Sequence, residues 1–310
     1  MSVPLIVTEE AAAARLNDEH VAAMEGLRRA RAVGVRAFIA RFLAQPFAVA
    51  GLVLLGFVTA ASVFAPLIAP YDPFALNPPL QQPSSTHWLG TDPLGRDVLS
   101  QIIWGGRVSL AFAFGAAALS LAVGVVMGAI PGYLGGIVDD VFSRFLETFL
   151  VIPRLFLIIL IVALLGSNLL FVIVVMGLTM WPQNAKIMRA QVLSIKKRGY
   201  VQAAIAAGVS PLPIIFRHVI PNGLAPVIAN STLQMAYAVL TEAGLSFLGL
   251  GDPNVTSWGQ ILNAGQSYVR SAPWIVISPG LAIMTLLLGL HLVGDGVTRV
   301  LNPRLSLGRE

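Results

Sequence analysis

Charged residues are scarce in this sequence: Asp, Glu, Lys and Arg make up 11% of its 310 residues, against about 25% in a typical soluble domain. A soluble globule of this size would lack the polar side chains needed to cover its surface. Intrinsic disorder is excluded as well, because 56% of the residues are hydrophobic and disorder requires low hydrophobicity with high charge. We therefore expect an integral membrane protein.

Cysteine is absent altogether, which excludes disulfide bonds, thiolate metal sites and cysteine nucleophiles. A secretory signal peptide is not expected either. The first apolar run begins only near Phe47, after five acidic residues, and it is longer than the roughly 7–15-residue core of a signal peptide.

Six apolar runs approach the roughly 20 residues that a helix needs to cross a bilayer. They cover residues 47–69, 108–131, 145–165, 169–182, 224–241 and 274–293. The fourth run is short, but it extends toward Met188 if the Lys186 side chain reaches back to the membrane interface. Small residues such as Gly124 and Gly128 in the second run allow close helix packing. We predict an all-α, polytopic membrane protein with about six spans.

The basic residues indicate how these spans are oriented. With six spans, 17 of the 20 Lys and Arg residues fall on the side of the N-terminus and three on the other side. Cytoplasmic loops carry the excess of Lys and Arg, so both termini are predicted to be cytoplasmic. The net charge of +5 is then a sign of orientation. It does not indicate nucleic-acid binding, which would need a clustered basic face with stacking aromatics.

This topology divides the chain into a cytoplasmic segment (1–45), a transmembrane domain (46–300) and a cytoplasmic tail (301–310). Residues 1–40 are rich in Ala and Arg, and we expect a helix there that lies along the inner membrane surface.

The first outside loop, 70–107, contains a compact polar motif. We predict that Asp92, Arg96 and Asp97 form an ion-pair and capping network, with Asp92 or Asp97 starting a short helix. A docking surface for a soluble partner is the alternative. The motif as a whole consists of Leu89, Gly90, Thr91, Asp92, Gly95, Arg96 and Asp97.

The second outside loop, 242–273, is too apolar to be solvated. We expect it to lie at the membrane boundary or to fold back against the helices, because irregular backbone near lipid must be covered by protein. Its characteristic residues are Ser246, Phe247, Leu248, Gly249, Gly251 and Trp258.

The cytoplasmic segment 191–222 predicts two short helices at a sharp bend. Residues 200–207 favour a helix, and Gly208 is suited to end it because glycine adopts the left-handed conformation at little cost. Ser210 can cap a second helix that begins at Pro211. Two short helices projecting from the membrane would suit docking into a groove of another protein.

Ionisable residues in or near the spans are candidates for function. Arg144 and Glu147 are three residues apart and can pair on one helical face; Arg154 is expected on roughly the same face. His291 and Asp295 are four apart and form a second possible pair. Structural pairing is one interpretation, and contact with a substrate or a partner subunit is the other. The sequence lacks the deeper chain of such groups that a proton-driven carrier would need.

The segment from 200 to 222 resembles the cytoplasmic coupling loop of ATP-binding cassette (ABC) importer permeases. That loop has Glu-Ala-Ala, a Gly four residues later, and a hydrophobic residue followed by Pro. The matching residues, with the flanking Tyr200 and Ser210, are Gln202, Ala203, Ala204, Gly208, Ile220 and Pro221. Gln202 departs from the usual Glu, which puts a salt bridge to an ATPase in doubt, although the amide can still form hydrogen bonds.

The two outside motifs, together with 294–296 and 302–304, resemble the dipeptide/oligopeptide/nickel permease group, and the C-type subunit in particular. The match covers about residues 41–304. It implies the type I ABC importer transmembrane fold in the inner membrane of a prokaryote, in contact with lipid. It also implies three kinds of protein partner: a second homologous permease, two ATPase subunits that bind ATP and Mg, and an extracytoplasmic substrate-binding protein.

The expected function is therefore half of the translocation pore of an ATP-driven importer, most commonly of di- or oligopeptides in this group. Nickel, glutathione and opine-like solutes are alternative cargoes. A stand-alone secondary carrier and a non-transporting membrane scaffold are rivals of other classes. The chain itself is not expected to be an enzyme or to hold a cofactor, since no Gly-x-x-x-x-Gly-Lys-Ser/Thr loop is present.

Overall fold

The structure, a computed structural model, describes residues 36–301. Regular structure in this range is helical, and strand-like pairing is limited to an isolated bridge between Thr91 and Asp97. The prediction of an all-α protein is confirmed. The helix expected within residues 1–40 and the tail from 302 lie largely or wholly outside the described residues.

The helices are numbered here from residue 46 onward. They are α1 (Pro46–Val63), α2 (Ala65–Ile68), α3 (Val98–Leu134), α4 (Gly136–Val151), α5 (Arg154–Leu165), α6 (Leu169–Ile195), α7 (Gly199–Ala206), α8 (Pro211–Ile214), α9 (Ile220–Phe247), α10 (Trp258–Gly265) and α11 (Trp274–Leu301). A π-helical turn, Ile215–Val219, joins α8 to α9.

Five helices between residues 36 and 301 are long and apolar enough to cross a membrane, and the number is six if α4 and α5 together form one span. The prediction of about six spans is confirmed, but several are longer than their apolar runs. Helix α3 begins ten residues before the predicted 108, and α6 continues past Pro182 to Ile195. Proline is tolerated inside such helices because neighbouring groups satisfy the freed backbone.

The third span is not the single helix predicted over 145–165. It consists of α4 and α5, which meet at 79°. Pro153 disfavours helical backbone at the residue before it, and Ile152 is accordingly extended, with φ −73° and ψ 123°. Arg154 begins α5 and Glu147 lies in α4, so the expectation that they share one helical face is wrong.

Helices α3 and α6 pack with their backbones in close contact. A Cβ atom built on Gly128 would lie 2.3 Å from the carbonyl oxygen of Ala185, and one on Gly124 would lie 2.5 Å from the Cβ of Asn184. Small residues at these positions bring the two helices together, which places the polar side chain of Asn184 inside the bundle.

Asn184 is the centre of a buried hydrogen-bond network that joins α3, α6 and α9. The two hydrogens of its amide are shared among three acceptors: Ser120 Oγ at 3.0 Å, Ser231 Oγ at 3.2 Å and Gln234 Oε1 at 3.1 Å. Its Oδ1 accepts from Asn230 Nδ2 at 2.8 Å. A buried polar group is costly unless it is hydrogen-bonded, so this network favours one arrangement of the three helices.

Helix α4 is fastened to α6 by charge and by aromatic packing. Arg189 Nε and Nη2 donate to the two carboxylate oxygens of Asp139 at 2.6 and 2.7 Å. Such two-point pairs fix orientation as well as distance. Farther along α4, three phenylalanine rings lie 6.0–6.3 Å from the ring of Trp181, namely Phe142, Phe145 and Phe149.

The glycine contact between α3 and α6 predicts opposite effects for two Gly→Ala substitutions. Gly128→Ala should destabilise the protein by about 1–3 kcal/mol, because the new methyl group meets backbone that cannot move aside. Gly56→Ala is the matched control: it lies in α1, its Cβ would have nothing within 4 Å, and alanine is the better helix former. Thermal unfolding of the purified full chain in detergent measures both, and equal midpoints would contradict this packing.

Candidate functional site

The two short helices predicted at the bend are present as α7 and α8, and residues 199–214 are called the knob below. Gly208, two residues after the last residue of α7, has φ +76° and terminates the helix. The Gly208 N–H donates to Ile205 O at 3.0 Å and the Val209 N–H to Ala204 O at 3.1 Å, which is the Schellman arrangement. Ser210 occupies the N-cap position of α8, but its side chain makes no capping hydrogen bond.

The knob is anchored on one side and exposed on the other. Val201 and Ile214 are fully buried, as is the adjoining Ile215 of the π-helical turn, in one cluster with side chains of α3 and α6. The outward side carries apolar residues, with Leu212 58% exposed. Other exposed residues of the knob include Tyr200, Gln202, Ala203, Ile205, Gly208 and Val209. An exposed apolar surface on a rigid support is typical of a protein–protein contact.

Gln202, which replaces the usual Glu of the coupling-loop motif, bonds within its own chain. Its Nε2 donates to the carbonyl oxygen of Lys196 at 2.7 Å. Lys196 in turn donates from Nζ to the carbonyl oxygen of Tyr133 at 2.6 Å. These bonds join the knob to the ends of α6 and α3.

The remaining residues of the coupling-loop motif connect the knob to α9. Ile220 and Pro221 are the first two residues of α9 and directly follow the π-helical turn. The backbone therefore stays helical from Pro211 through Phe247, so a displacement of the knob would be transmitted to α9.

Asp92 organises the first outside motif. Its Oδ1 accepts hydrogen bonds from the backbone N–H groups of Leu94 at 2.8 Å and Arg96 at 2.9 Å. Its Oδ2 accepts from Arg96 Nε at 2.7 Å. The Asp92 side chain is therefore tied to the loop around it.

Asp97, and not Asp92, starts the following helix. Its Oδ2 accepts from the backbone N–H of Ser100 at 2.8 Å, and its Oδ1 lies 2.9 Å from His87 Nδ1. The helix that it caps is the 37-residue α3 rather than a short one. The predicted loop 70–107 therefore ends at Asp97.

The other residues of the first outside motif pack inside the loop. Thr91 is fully buried and donates from Oγ1 to the carbonyl oxygen of Pro78 at 2.9 Å. Gly90 and Gly95 have positive φ values of 71° and 84°, and Leu89 is half-buried. This burial favours a structural role for these side chains over direct docking.

The second outside loop folds back against the helices, in agreement with one of the two sequence-based expectations. Trp258 is 2% exposed and donates from Nε1 to the carbonyl oxygen of Ile102 in α3 at 2.8 Å. Ser246 donates from Oγ to Oε1 of the buried Glu242 at 2.8 Å. Glu242 and Ser246 still belong to α9, which ends at Phe247. The loop predicted over 242–273 therefore begins after Phe247, and it contains α10.

The tip of this loop is more exposed. Leu248 is 60% exposed, and Gly249 has φ +82° and ends α9 in the same way as Gly208 ends α7. Gly251 packs against Ser246, since a Cβ there would lie 2.6 Å from Ser246 Oγ. The loop therefore presents only a small apolar surface.

Asp252 fixes this loop to the start of α6. Its carboxylate accepts hydrogen bonds from the backbone N–H of Leu169 at 2.9 Å and from two nitrogens of Asn254 at 3.0 Å. Burial opposes ionisation of Asp252, but these hydrogen bonds outweigh it and lower the pKa of the carboxyl group below its ordinary value. The loop is thus held by an ionised group.

A cavity of about 490 Å³ opens beside the Asn184 network. It lies between the bend of α4 and α5 on one side and the middle parts of α6 and α9 on the other. Its lining consists of Phe149, Leu150, Ile152, Pro153, Arg154, Leu157, Thr179, Gln183, Asn230, Leu233, Gln234 and Tyr237. We call it the bend cavity.

A second cavity, of about 670 Å³, continues toward the knob. It shares Asn230 and Leu233 with the bend cavity, and Gln191, Arg198 and Asn222 lie in its wall. Together the two cavities follow α9, and about half of their lining residues are polar. Such a path through an apolar bundle suits the passage of a polar solute.

The predicted pairs of ionisable residues differ in outcome. Arg144 and Glu147 approach to 3.6 Å, but their side chains are 87% and 69% exposed. No hydrogen bond or ion pair joins His291 to Asp295, although both belong to the described helix α11; both are exposed, where such a pair gains little. Arg154 lies in the wall of the bend cavity.

Sequence reasoning missed the groups that hold this region together. The Asp139–Arg189 pair joins residues 50 positions apart, and a single sequence contains no signal for it. The Asn184 network had a signal: amide and hydroxyl side chains within otherwise apolar runs. Asn184 and Gln234 are uncharged, so the pattern of ionisable residues in the spans does not include them.

Known protein families match two separate parts of the chain. Residues 120–307 match the family described as binding-protein-dependent transport system inner membrane component. Residues 35–85 match the N-terminal transmembrane domain of oligopeptide transport permease C.

Similar sequences include bacterial peptide permeases. The dipeptide transport system permease protein DppC of Alkalihalophilus pseudofirmus is 37% identical, with 84% of this chain and 86% of the relative aligned. The oligopeptide transport system permease protein OppC of Bacillus subtilis is 34% identical over 86% of this chain and 88% of the relative. The di/tripeptide transport system permease protein DppC of Pseudomonas aeruginosa is 36% identical, with 84% of this chain and 88% of the relative aligned.

Among solved structures, inward-facing conformations of the MetNI methionine ABC transporter contain a chain with a similar fold. The TM-score is 0.53 at 19% identity, and the match covers 65% of this chain and 96% of that one. This likeness shows the ABC importer permease fold. With the family match and the sequence relatives, it establishes that this chain belongs to the binding-protein-dependent transport system inner membrane components.

Proposed function

We propose that this chain forms one half of the translocation pore of an ATP-driven importer of di- or oligopeptides in the inner membrane of a prokaryote. A second, homologous permease completes the pore, two ATPase subunits dock on the knobs, and an extracytoplasmic binding protein delivers the peptide. The names of the relatives support the peptide cargo, since they refer to dipeptide, di/tripeptide and oligopeptide transport.

The observation that carries the proposal is the knob and its connection to α9. Its outward face is apolar, its inner face is anchored in a buried cluster, and its backbone continues into the helix that lines both cavities. ATP binding closes the ATPase pair, the knob moves with it, and α9 shifts the cavities from one side of the membrane to the other. The equilibrium between the states that open the cavities to one side or the other is biased by ATP and by the loaded binding protein.

The distribution of positive charge supports the orientation of the chain in the membrane. The cationic residues Lys196, Lys197 and Arg198 directly precede the knob, as expected for a cytoplasmic segment. Both termini are then cytoplasmic, and the loops carrying Asp97 and Trp258 face the binding protein. ATP and Mg belong to the partner subunits.

The cargo can be tested on the assembled complex in proteoliposomes with its binding protein. A di- or oligopeptide should stimulate ATP hydrolysis and accumulate inside the vesicles in an ATP-dependent manner. Nickel and glutathione are tested in parallel under the same conditions. Stimulation by either of these and not by peptides would contradict the peptide assignment. Peptide uptake without ATP would contradict the ABC mechanism.

Docking at the knob predicts that Gly208→Val uncouples ATP hydrolysis from uptake. The built Cβ has nothing within 4 Å, so the side chain itself fits. However, a β-branched residue at φ +76° costs about 1–2 kcal/mol, and the knob should change its shape. Co-purification of the ATPase subunits and peptide uptake per ATP hydrolysed should both fall.

Gly249→Val provides the matched control for this substitution. Gly249 has φ +82°, also has free space around its built Cβ, and ends a helix through the same backbone hydrogen bonds. It lies at the opposite end of α9, so ATPase co-purification should stay at the wild-type level. If Gly208→Val behaves like Gly249→Val in that measurement, the knob is not the docking surface.

A further inference from the structure

Arg154 is a cation without a carboxylate partner at the depth of the membrane. It faces Thr179 of α6 and Tyr237 of α9 across the bend cavity, and both residues lie well inside long membrane helices. The Arg154 side chain forms no ion pair or hydrogen bond with the residues between 36 and 301. Its guanidinium group packs against the ring of Tyr237, with the guanidinium carbon 5.1 Å from the ring centroid.

The bend cavity offers no counter-charge either, since none of its lining residues is Asp or Glu. A charged side chain at this depth is costly and usually pairs with another group or faces a water-filled path. Glu147 of α4 approaches Arg144 to 3.6 Å, with both side chains exposed, and forms no ion pair with Arg154. The position of Arg154 is therefore better explained by a ligand that enters the cavity than by a partner in this part of the chain.

The remaining polar groups of the bend cavity fit a peptide. Gln183 carries an exposed amide that can both donate and accept, as peptide groups require. Phe149 and Leu157 provide apolar surface for a side chain. The volume of about 490 Å³ lies in the range of sites that hold small molecules.

The free α-carboxylate is the group of a peptide that a guanidinium recognises best, because its two oxygens match the two parallel N–H donors of arginine. We propose that Arg154 binds the C-terminal carboxylate of the peptide during its passage through the bend cavity. This inference rests on the proposed function and adds to it a requirement for a free carboxylate. The contact must also be weak enough to release the peptide, which agrees with a single cation in a cavity open to water.

The test compares Arg154→Gln with wild type in the complete transporter, reconstituted in proteoliposomes with saturating binding protein. Uptake of a dipeptide is measured beside uptake of the same dipeptide with a C-terminal amide. For each dipeptide, uptake by the variant is divided by uptake by wild type with the same binding protein. Any preference of the binding protein for one dipeptide is therefore the same in numerator and denominator and cancels. Charge-assisted hydrogen bonds of this kind are worth about tenfold or more in binding, so Arg154→Gln should reduce maximal uptake of the free dipeptide by about that factor and leave the amide nearly unchanged.

Two further variants separate recognition from structural effects. Arg154→Lys keeps the charge but not the two-point geometry, and should retain part of the preference for the free carboxylate. Arg144→Gln removes the same charge from an exposed position on α4, and should change uptake of neither dipeptide. A second measurement does not depend on transport of the amidated dipeptide. In Leu157→Cys, the free dipeptide should protect the introduced thiol from a thiol reagent. Adding Arg154→Gln to this variant should abolish the protection.

Four results would overturn the inference. Equal losses for both dipeptides, or no loss for either, would show that Arg154 does not recognise the carboxylate. Failure of the second permease to co-purify with Arg154→Gln would show that Arg154 pairs across the subunit interface. If the wild-type transporter accumulates neither dipeptide, the proposed function fails first, and this inference fails with it.

Discussion

The buried amide of Asn184 is the interaction on which the arrangement of the bundle depends. Lipid cannot satisfy a polar side chain, so the amide must find its partners within the protein. It does so on α3 and α9 at once, through Ser120, Ser231 and Gln234, and the close approach at Gly128 makes this possible. The bend cavity begins beside this network, with Gln234 and Asn230 contributing to both.

The same network explains how a rigid bundle can contain a movable path. Helices α3 and α6 are joined by close backbone contact, whereas α9 is joined to them through side chains, by apolar packing and by the hydrogen bonds of the Asn184 network. In our proposal α9 receives the movement of the knob through the π-helical turn Ile215–Val219 and opens the cavities to one side or the other. Arg154, at the bend between α4 and α5, then meets the cargo on its way.

Local signals in the sequence were sufficient for the helices and for several of their ends. The sequence indicates Asp92 or Asp97 as a cap and Gly208 as a helix end, because capping and left-handed glycine act within a few residues, and the structure shows that the cap is Asp97. Pro153 is also present in the sequence, but it does not determine the 79° angle between α4 and α5, which depends on how α4 packs against α6. The Asp139–Arg189 pair that holds α4 in place joins distant parts of the chain, and no local pattern contains that information.

Accessibility of Leu233 tests most directly whether this chain lines a path that ATP switches. The chain has no native cysteine, so Leu233→Cys, which lies in the wall of both cavities, provides the only thiol of this subunit, and labelling is read on its band after the assembled transporter is separated into subunits. Leu160→Cys, 56% exposed on α5 and outside both cavities, is the control. A membrane-impermeant thiol reagent should modify Leu233→Cys at a rate that changes when ATP and the loaded binding protein are added, and should not modify Leu160→Cys. An unreactive Leu233→Cys, or a rate that is the same with and without ATP, would contradict the account.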